Sequence, residues 1–373
     1  MTWCDCRLGD VIRLQRGHDL PIQAREDGDI PVVSSSGVTG FHSKAKATAP
    51  GVVTGRYGTL GEVYYIDRDY WPLNTALYVT DFRGNEPKFV AHLLKQALKN
   101  YQSDKAAVPG VDRNVLHELP VRVPDRGTQG RMAEVLSEYD DLIDNNRRRI
   151  KLLEDSVRLV FDEWFVRVAC ESWPMALLQD VCVKDGGIQT GPFGSQLHQS
   201  DYSDDGVPVV MPKDLARMRI DTETVARIPE HLADELGRHR MQPGDIVFGR
   251  RGEIGRRGYI GARQDGYFCG TGCLRLRPDP THVSPRFLFE LLGAPLVAGE
   301  IANRAKGATM PNLSASALQD VPLPLPPRKL QDRFAELAGD VGDQIDMLDE
   351  QCRKLRAARD LLLPRLMSGE LVV

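Results

Sequence analysis

The stretch RMAEVLSEYDDLIDNNRRRIKLLEDSVRLVFDEW (Arg131–Trp164) decides the fold. Its apolar residues fall at Met132, Val135, Tyr139, Ile143, Ile150, Leu153, Val157, Val160 and Trp164, with Asn146 in the one polar slot. The steps are threes and fours, and neither Pro nor Gly interrupts them. That rhythm predicts a long helix burying one narrow seam against a second helix. The second helix is in the same chain. Adding 202 to each number gives Phe334, Leu337, Val341, Ile345, Leu348, Cys352, Leu355, Arg359, Leu362 and Leu366. One slot of this copy is charged and one is Cys, so its seam is poorer toward the end.

The offset continues upstream without a gap. Pro109, Leu116, Pro120, Pro124, Arg126, Gln129, Arg131, Ala133, Glu134, Asp141, Ile143, Asp144 and Leu153 recur as Pro311, Leu318, Pro322, Pro326, Arg328, Gln331, Arg333, Ala335, Glu336, Asp343, Ile345, Asp346 and Leu355. The chain is therefore a tandem duplication of a globular unit followed by its helix. Residues 1–125 form the first unit, 126–170 a central long helix, 171–327 the second unit and 328–373 a C-terminal long helix. In the globular parts VPVV (207–210) echoes IPVV (30–33), and GDIVFGRRGEIGRRGYI (244–260) echoes the stretch 50–66. Gly249, Gly252 and Gly255 stand at the places of Gly55, Gly58 and Gly61, and Arg250 at that of Arg56. There the offset drifts, so loops differ in length while helix and exit strand do not. One scaffold carrying two different surfaces follows.

The expected fold is α+β. If the seams pair, the second helix runs antiparallel to the first, giving a pseudo-twofold dumbbell joined by a coiled coil. A helix of about 40 residues spans roughly 60 Å.

Bulk composition fits this plan. A chain of 373 residues, 42% hydrophobic and 27% charged, can bury two cores. No apolar run approaches the twenty or so residues of a membrane span, and the opening MTWCDCRLGD is not signal-like, so a cytoplasmic location is expected. The seven cysteines are scattered; Cys4/Cys6 and Cys269/Cys273 lack the spacing and partners of a zinc site. No metal and no cofactor are expected. The net charge of −4 excludes a uniformly basic nucleic-acid binder. Residues 238–263, however, hold Arg238, Arg240, Arg250, Arg251, Arg256, Arg257 and Arg263 against Asp245 and Glu253.

Catalytic motifs are missing: no Walker loop, no nucleophile elbow, no H-E-x-x-H, and no Asn/Asp-Pro-Pro-aromatic run of an amino-methylating enzyme. Asp81 with Glu86 and Lys88 is spaced too tightly for a nuclease cluster. The Gly strings at 55–61 and 249–255 read as strand–loop–strand rather than dinucleotide loops, since no helix follows them. Recognition chemistry remains. Polar and basic side chains on Gly-flanked loops can meet base edges and phosphates. The candidates in the first unit are Ser34, Ser35, Ser36, Lys44, Lys46, Arg56, Tyr57, Arg113 and Asn114. Those in the second are Gln189, Thr190, Ser195, Gln196, Lys213, Arg250, Arg251, Arg256, Arg304, Lys306, Thr309 and Asn312. Arg56 and Arg250 stand out because the duplication places them in the same loop.

At this point the chain resembles the specificity subunit of Type I restriction–modification systems over essentially its whole length. LQRGHDLP (14–21) and QTGPFGSQL (189–197) are similar to openings of that family's target-recognition domains. GATMPNLSASALQDVPLPLPP (307–327) resembles the domain exit, and LLLPRLMSGEL (361–371) the C-terminal end. The acidic-Gln dipeptide that usually opens the helix is replaced by Leu330-Gln331-Asp332 and Thr128-Gln129-Gly130. The resemblance implies that each globular unit reads one half of a split, asymmetric site in double-stranded DNA, and that the helices fix the spacer. It implies two methylation subunits, which carry the S-adenosylmethionine chemistry, and a motor-nuclease restriction subunit. The chain itself would catalyse nothing. A DNA-modifying enzyme with an unrecognised site and a coiled-coil scaffold that binds no DNA are the competing readings. A related system whose partner fuses cutting and methylation uses similar subunits.

Overall fold

The computed structural model describes residues 2–56, 61–99, 112–167, 173–193, 196–216, 219–222, 225–251, 254–305 and 312–373. Tyr57, Ser195, Lys306 and Thr309 among the candidates lie outside them, as do Gly58, Gly252, Pro109 and Pro311 of the repeat. The chain divides into two compact units, Met1–Asn146 with Gln351–Val373, and Arg147–Glu350. Both mix sheet and helix. The boundary passes through the long helices rather than beside them, so each unit owns one part of each.

In the first unit the strand Trp3–Arg7 pairs antiparallel with Pro120–Pro124, closing the globular part just before the helix. A four-stranded antiparallel sheet has the order Arg13–Arg16, Ala76–Asp81, Gly51–Gly55, Val63–Ile66. A three-stranded sheet centres on Ile30–Ser34, which pairs antiparallel with Gly37–His42 and parallel with Trp71–Pro72. The helix Pro87–Lys99 buries Phe89, Val90, Leu93, Leu94 and Leu98 at the helical spacing of its sequence. They join Val52, Leu77 and Val79 of the sheet, Met132 and Leu136 of the first long helix, and Leu363, Leu366 and Met367 of the C-terminal one. Fully burying each such side chain is worth about 1.5–3 kcal/mol.

The second unit repeats this topology with one insertion. Met175–Leu177 pairs with Pro322–Pro324. The four-stranded sheet runs Ile188–Thr190, Cys273–Leu276, Ile246–Gly249, Arg257–Tyr259. Val207–Val210 pairs antiparallel with Ala226–Ile228 and parallel with Phe268–Cys269. A small hairpin, Leu215–Ala216 with Arg219–Ile220, is inserted between them. In both units the strands on either side of the Gly string pair antiparallel, Gly51–Gly55 with Val63–Ile66 and Ile246–Gly249 with Arg257–Tyr259.

The first long helix is Arg126–Phe161, continued as a π-helix over Asp162–Arg167; the other is Arg328–Met367. Within the first unit, Met132 and Leu136 share a core with Leu363 and Leu366, the Cys352 thiol donates to Ile143 O at 3.7 Å, and Asn146 Nδ2 donates to Gln351 Oε1 at 3.4 Å. Within the second, Ile150 packs with Ile345 and Leu348, while Phe161 meets Phe334 at 5.5 Å between ring centroids. Numbers rise along one helix as they fall along the other, so in each unit the pair is antiparallel. The wide π turn sets Trp164 and Phe165 beside Phe161 around Phe334.

The seam departs from expectation at one pair of slots. Leu337 is exposed and Val135 only partly buried, whereas Leu136 and Ala338 are fully buried. The inward-facing series 132, 136, 139, 143, 146, 150, 153 alternates fours and threes; the slots 135 and 337 lie one residue, about 100°, off that line. Tyr139, Leu153, Val341 and Leu355 are half-buried at its edge. The charged slot also has a partner. Arg359 pairs with Asp140, whose other oxygen lies 3.7 Å from His92 Nε2 on the helix Pro87–Lys99.

Candidate nucleic-acid interface

In each unit four loops converge, and the same four backbone hydrogen bonds tie them. In the first unit Gly17 N donates to Ala76 O at 3.0 Å, Ala76 N to Leu73 O at 2.9 Å, Leu73 N to Val33 O at 2.8 Å, and Arg56 N to Thr75 O at 2.9 Å. In the second Gly191 N donates to Cys273 O at 3.0 Å, Cys273 N to Gly270 O at 3.1 Å, Gly270 N to Val210 O at 2.9 Å, and Arg250 N to Gly272 O at 2.9 Å. Glycine is required at the first of these places. A Cβ on Gly17 would stand 2.1 Å from Leu73 O, and one on Gly191 2.0 Å from Gly270 O. This is the physical content of the RGH and TGP strings.

The side chains on this common frame differ. In the first unit Ser34, Ser35 and Ser36 follow the middle strand; the Ser34 and Ser36 hydroxyls lie 3.0 Å apart, and Ser36 N donates to Ser34 Oγ at 3.1 Å. Asp19 Oδ1 accepts from Asn74 Nδ2 at 2.8 Å, and Arg16 Nε donates to Asn74 O at 3.3 Å. In the second unit Met211, Pro212 and the exposed Lys213 take the place of the serines. Phe193, 58% exposed, takes the place of Asp19, and Thr271 Oγ1 donates to Pro192 O at 3.1 Å. Asn312 Oδ1 accepts from Arg250 Nε at 3.3 Å, and Leu313 N donates to Arg250 O at 2.8 Å. The exposed Arg251 bridges Asn312 through the backbone. Partial burial and the neighbouring Arg251 lower the pKa of Arg250 from its ordinary value.

The structure therefore gathers Arg56, Ser34, Ser35 and Ser36 in one unit, and Thr190, Lys213, Arg250, Arg251 and Asn312 in the other. Other candidates have different surroundings. Gln189 Oε1 accepts from Arg275 Nη2 at 3.1 Å, inside a network in which Arg277 holds the buried Asp245. Gln196 Oε1 accepts from Phe193 N and from Arg238 Nη2. Lys44 pairs with Glu26 at 3.5 Å, and the Lys46 ammonium sits 5.4 Å over the Trp71 ring. Arg304 pairs with Glu300 and also donates to Asp320 O. Arg113 and Asn114 open a short helix capped by Asp112. The exposed Arg256 lies on the hairpin, its carbonyl accepting from Gly249 N.

The run of seven arginines does not form one basic face. Arg240 pairs with Glu230 and Asp234, Arg263 with Glu350, and Arg257 donates to Phe289 O. Neighbours on a hairpin point to opposite faces, and sequence proximity hides this. The geometry adds His18, Asp19, Asn74, Phe193 and Thr271 to the loop clusters. The signal for them was the paired Gly17 and Gly191, each flanking one of these loops.

Two units of one α+β plan, each presenting a loop cluster and closing onto a long paired helix, define a duplicated recognition protein. Its relatives are specific. The family model for the Type I restriction modification DNA specificity domain matches residues 1–155 and again 199–354. The chain belongs to that family, whose members supply DNA specificity rather than catalysis. It is 21% identical over 305 residues to the Type I restriction enzyme MjaVIII specificity subunit of Methanocaldococcus jannaschii, covering 76% of this chain and 70% of that one. It is 23% identical over 297 residues to the MjaIX specificity subunit of the same organism, covering 76% and 68%. The crystal structure of a Type-I restriction-modification S subunit from M. genitalium shares the fold, with a TM-score of 0.59 at 16% identity over 98% of this chain and 96% of that one. Among the described residues no helix is long and apolar enough to cross a membrane.

Proposed function

We propose that residues 1–125 and 171–327 are two target-recognition domains, each reading one half of a split, asymmetric site in double-stranded DNA. The paired helices set the unread interval between the halves. The observation that carries this is the common frame of four backbone hydrogen bonds bearing different side chains. The frame keeps each loop cluster in place, while serines with Asp19 in one unit, and Lys213 with Phe193 in the other, offer different contacts. Hydroxyls and carboxylates can pair with base donors and acceptors, and an aromatic ring can meet a thymine methyl group. Arg56 and Arg250 are retained on both copies of the frame. A guanidinium there suits the N7 and O6 acceptors of guanine or a phosphate.

DNA is thus the first partner. Two methylation subunits and a motor-nuclease restriction subunit assemble on the chain and supply the chemistry. Few base contacts are needed for specificity, so a net charge of −4 is compatible with this role. DNA binding by the chain alone should be weak, since partner subunits bring much of the phosphate neutralisation.

The test is exchange. Replacing residues 1–125 by the corresponding unit of another family member, and mapping methylated positions in a host carrying the assembled system, should change one half of the recognised site and leave the other. A site unchanged by the exchange would exclude this assignment.

A further inference from the structure

The second unit holds a cleft of about 430 Å³ beside the long helix, lined by none of the residues gathered in the loop cluster. Lys151, Glu154, Asp155, Arg158, Phe161 and Asp162 line one wall; Arg257, Glu290, Gly293 and Ala294 line the other. Most of its charges are matched. Glu154 pairs with Arg219 at 3.2 Å, Glu290 with Arg286 at 3.2 Å and Arg158 with Asp162 at 3.9 Å. Lys151 and Asp155 are exposed and of opposite sign.

Arg257 is different. Its Nε donates to Phe289 O at 2.8 Å, and its guanidinium lies over the Phe289 ring at 4.8 Å. It is pressed so closely on Gly293 that a Cβ there would stand 1.9 Å from Nη2. Stem and plane are fixed, and no carboxylate among the described residues pairs with it. Its two terminal nitrogens have no hydrogen-bond partner among the described residues. Burial lowers its pKa, Arg158 and Arg286 add to this, and the Glu290 carboxylate of the same cleft opposes it without reaching ion-pair distance. An immobilised guanidinium fork with free donors is built for a bidentate oxyanion.

We propose that this cleft binds a small oxyanion, a carboxylate or a phosphate group, gripped by Arg257 Nη1 and Nη2. Gly293 is the positioning residue, because only a residue without a side chain leaves the fork where it is. The site does not depend on how the loops read DNA.

The test uses the full chain in isothermal titration with inorganic phosphate and, separately, glutarate, at ionic strength held constant with NaCl. Saturable one-to-one binding of at least one is expected. Arg257→Met should abolish it with the circular dichroism spectrum kept, and Arg257→Lys should weaken it at least about tenfold by losing the fork. Gly293→Ala, which keeps the charge but displaces it, should weaken binding as well. The exposed Arg148→Gln should leave it unchanged. Binding of phosphate alone identifies a phosphate-bearing ligand; binding of glutarate as well or better identifies a carboxylate. No saturable binding to either anion, or binding undiminished in Arg257→Met and Gly293→Ala, overturns the proposal.

Discussion

Gln129 and Gln331, 202 positions apart, make the same bonds. Gln129 Nε2 donates to Pro124 O at 2.9 Å and its Oε1 accepts from Glu86 N at 3.0 Å; Gln331 Nε2 donates to Pro326 O at 2.8 Å and its Oε1 accepts from Ser284 N at 3.1 Å. Both are buried. Each fastens the first turn of a long helix to the exit strand behind it and to the start of the helix beside it. Gln129→Leu or Gln331→Leu strands a buried backbone donor and an acceptor. Each should cost about 1–3 kcal/mol, read as a lower midpoint in urea unfolding, with fast amide exchange confined to that unit. An unchanged midpoint would mean water replaces the amide without loss.

The glycines that tie the loop clusters should be intolerant of any side chain. Gly17→Ala places a Cβ against Leu73 O, and Gly191→Ala one against Gly270 O. The expected cost is about 1–3 kcal/mol each, since the backbone must move. In the assembled system Gly17→Ala should relax discrimination in the half-site read by the first unit alone, and Gly191→Ala in the other. Genome-wide methylation mapping distinguishes these outcomes from a uniform loss.

The polar staple in the first unit gives stability a pH dependence. Burial, and then the charge of Arg359 against the opposing pull of Asp140, holds the His92 pKa down at about 4 instead of 6.5. The unfolded chain therefore takes up this proton first as pH falls. The contribution of His92 is complete above pH 6.5, declines between 6.5 and about 4, and is flat below. Its full size is on the order of 3 kcal/mol. Unfolding midpoints at a series of pH values should show this slope, and His92→Phe should flatten it. A His92 imidazole titrating near 6.5 by NMR would refute the assignment.

Thiol reactivity should divide by burial. Cys182 and Cys269 are pushed up to about 12 by burial, and Cys273 is raised too. With Cys352 they are buried, whereas Cys4 is exposed and Cys6 partly so. Among the described cysteines, only Cys4 and Cys6 should react promptly with a thiol-specific disulfide reagent at pH 8, and the rest only after denaturant is added. Prompt modification of Cys269 would show that the second unit opens in the native state.

The long helices were legible because their signal is local: apolar residues at steps of three and four, doubled by the offset of 202. Val135 and Leu337 also fall at steps of three and four in the sequence, but the residues in phase with the buried line are their neighbours Leu136 and Ala338, both fully buried. Arg359 reads as a defect because, besides the adjacent Asp360, its partner is Asp140, more than 200 residues back in the chain. The loop clusters were legible only as composition. What assembles them is a set of non-local backbone bonds, such as Leu73 N to Val33 O, which no periodicity records. Gln189 illustrates the consequence: it has the residue type of a base reader, yet its amide oxygen accepts from Arg275.

The continuity of both long helices through the boundary at Asn146 and Gln351 limits how such a chain can change length. Deleting one residue turns everything beyond it by about 100°, and would swing Ile150 from its partners Ile345 and Leu348 into water. A deletion of seven restores the facing to within about 20°. Growth or shortening of this pair is thus quantised in heptads and must be matched in both copies, whereas the hairpin loops above can vary one residue at a time.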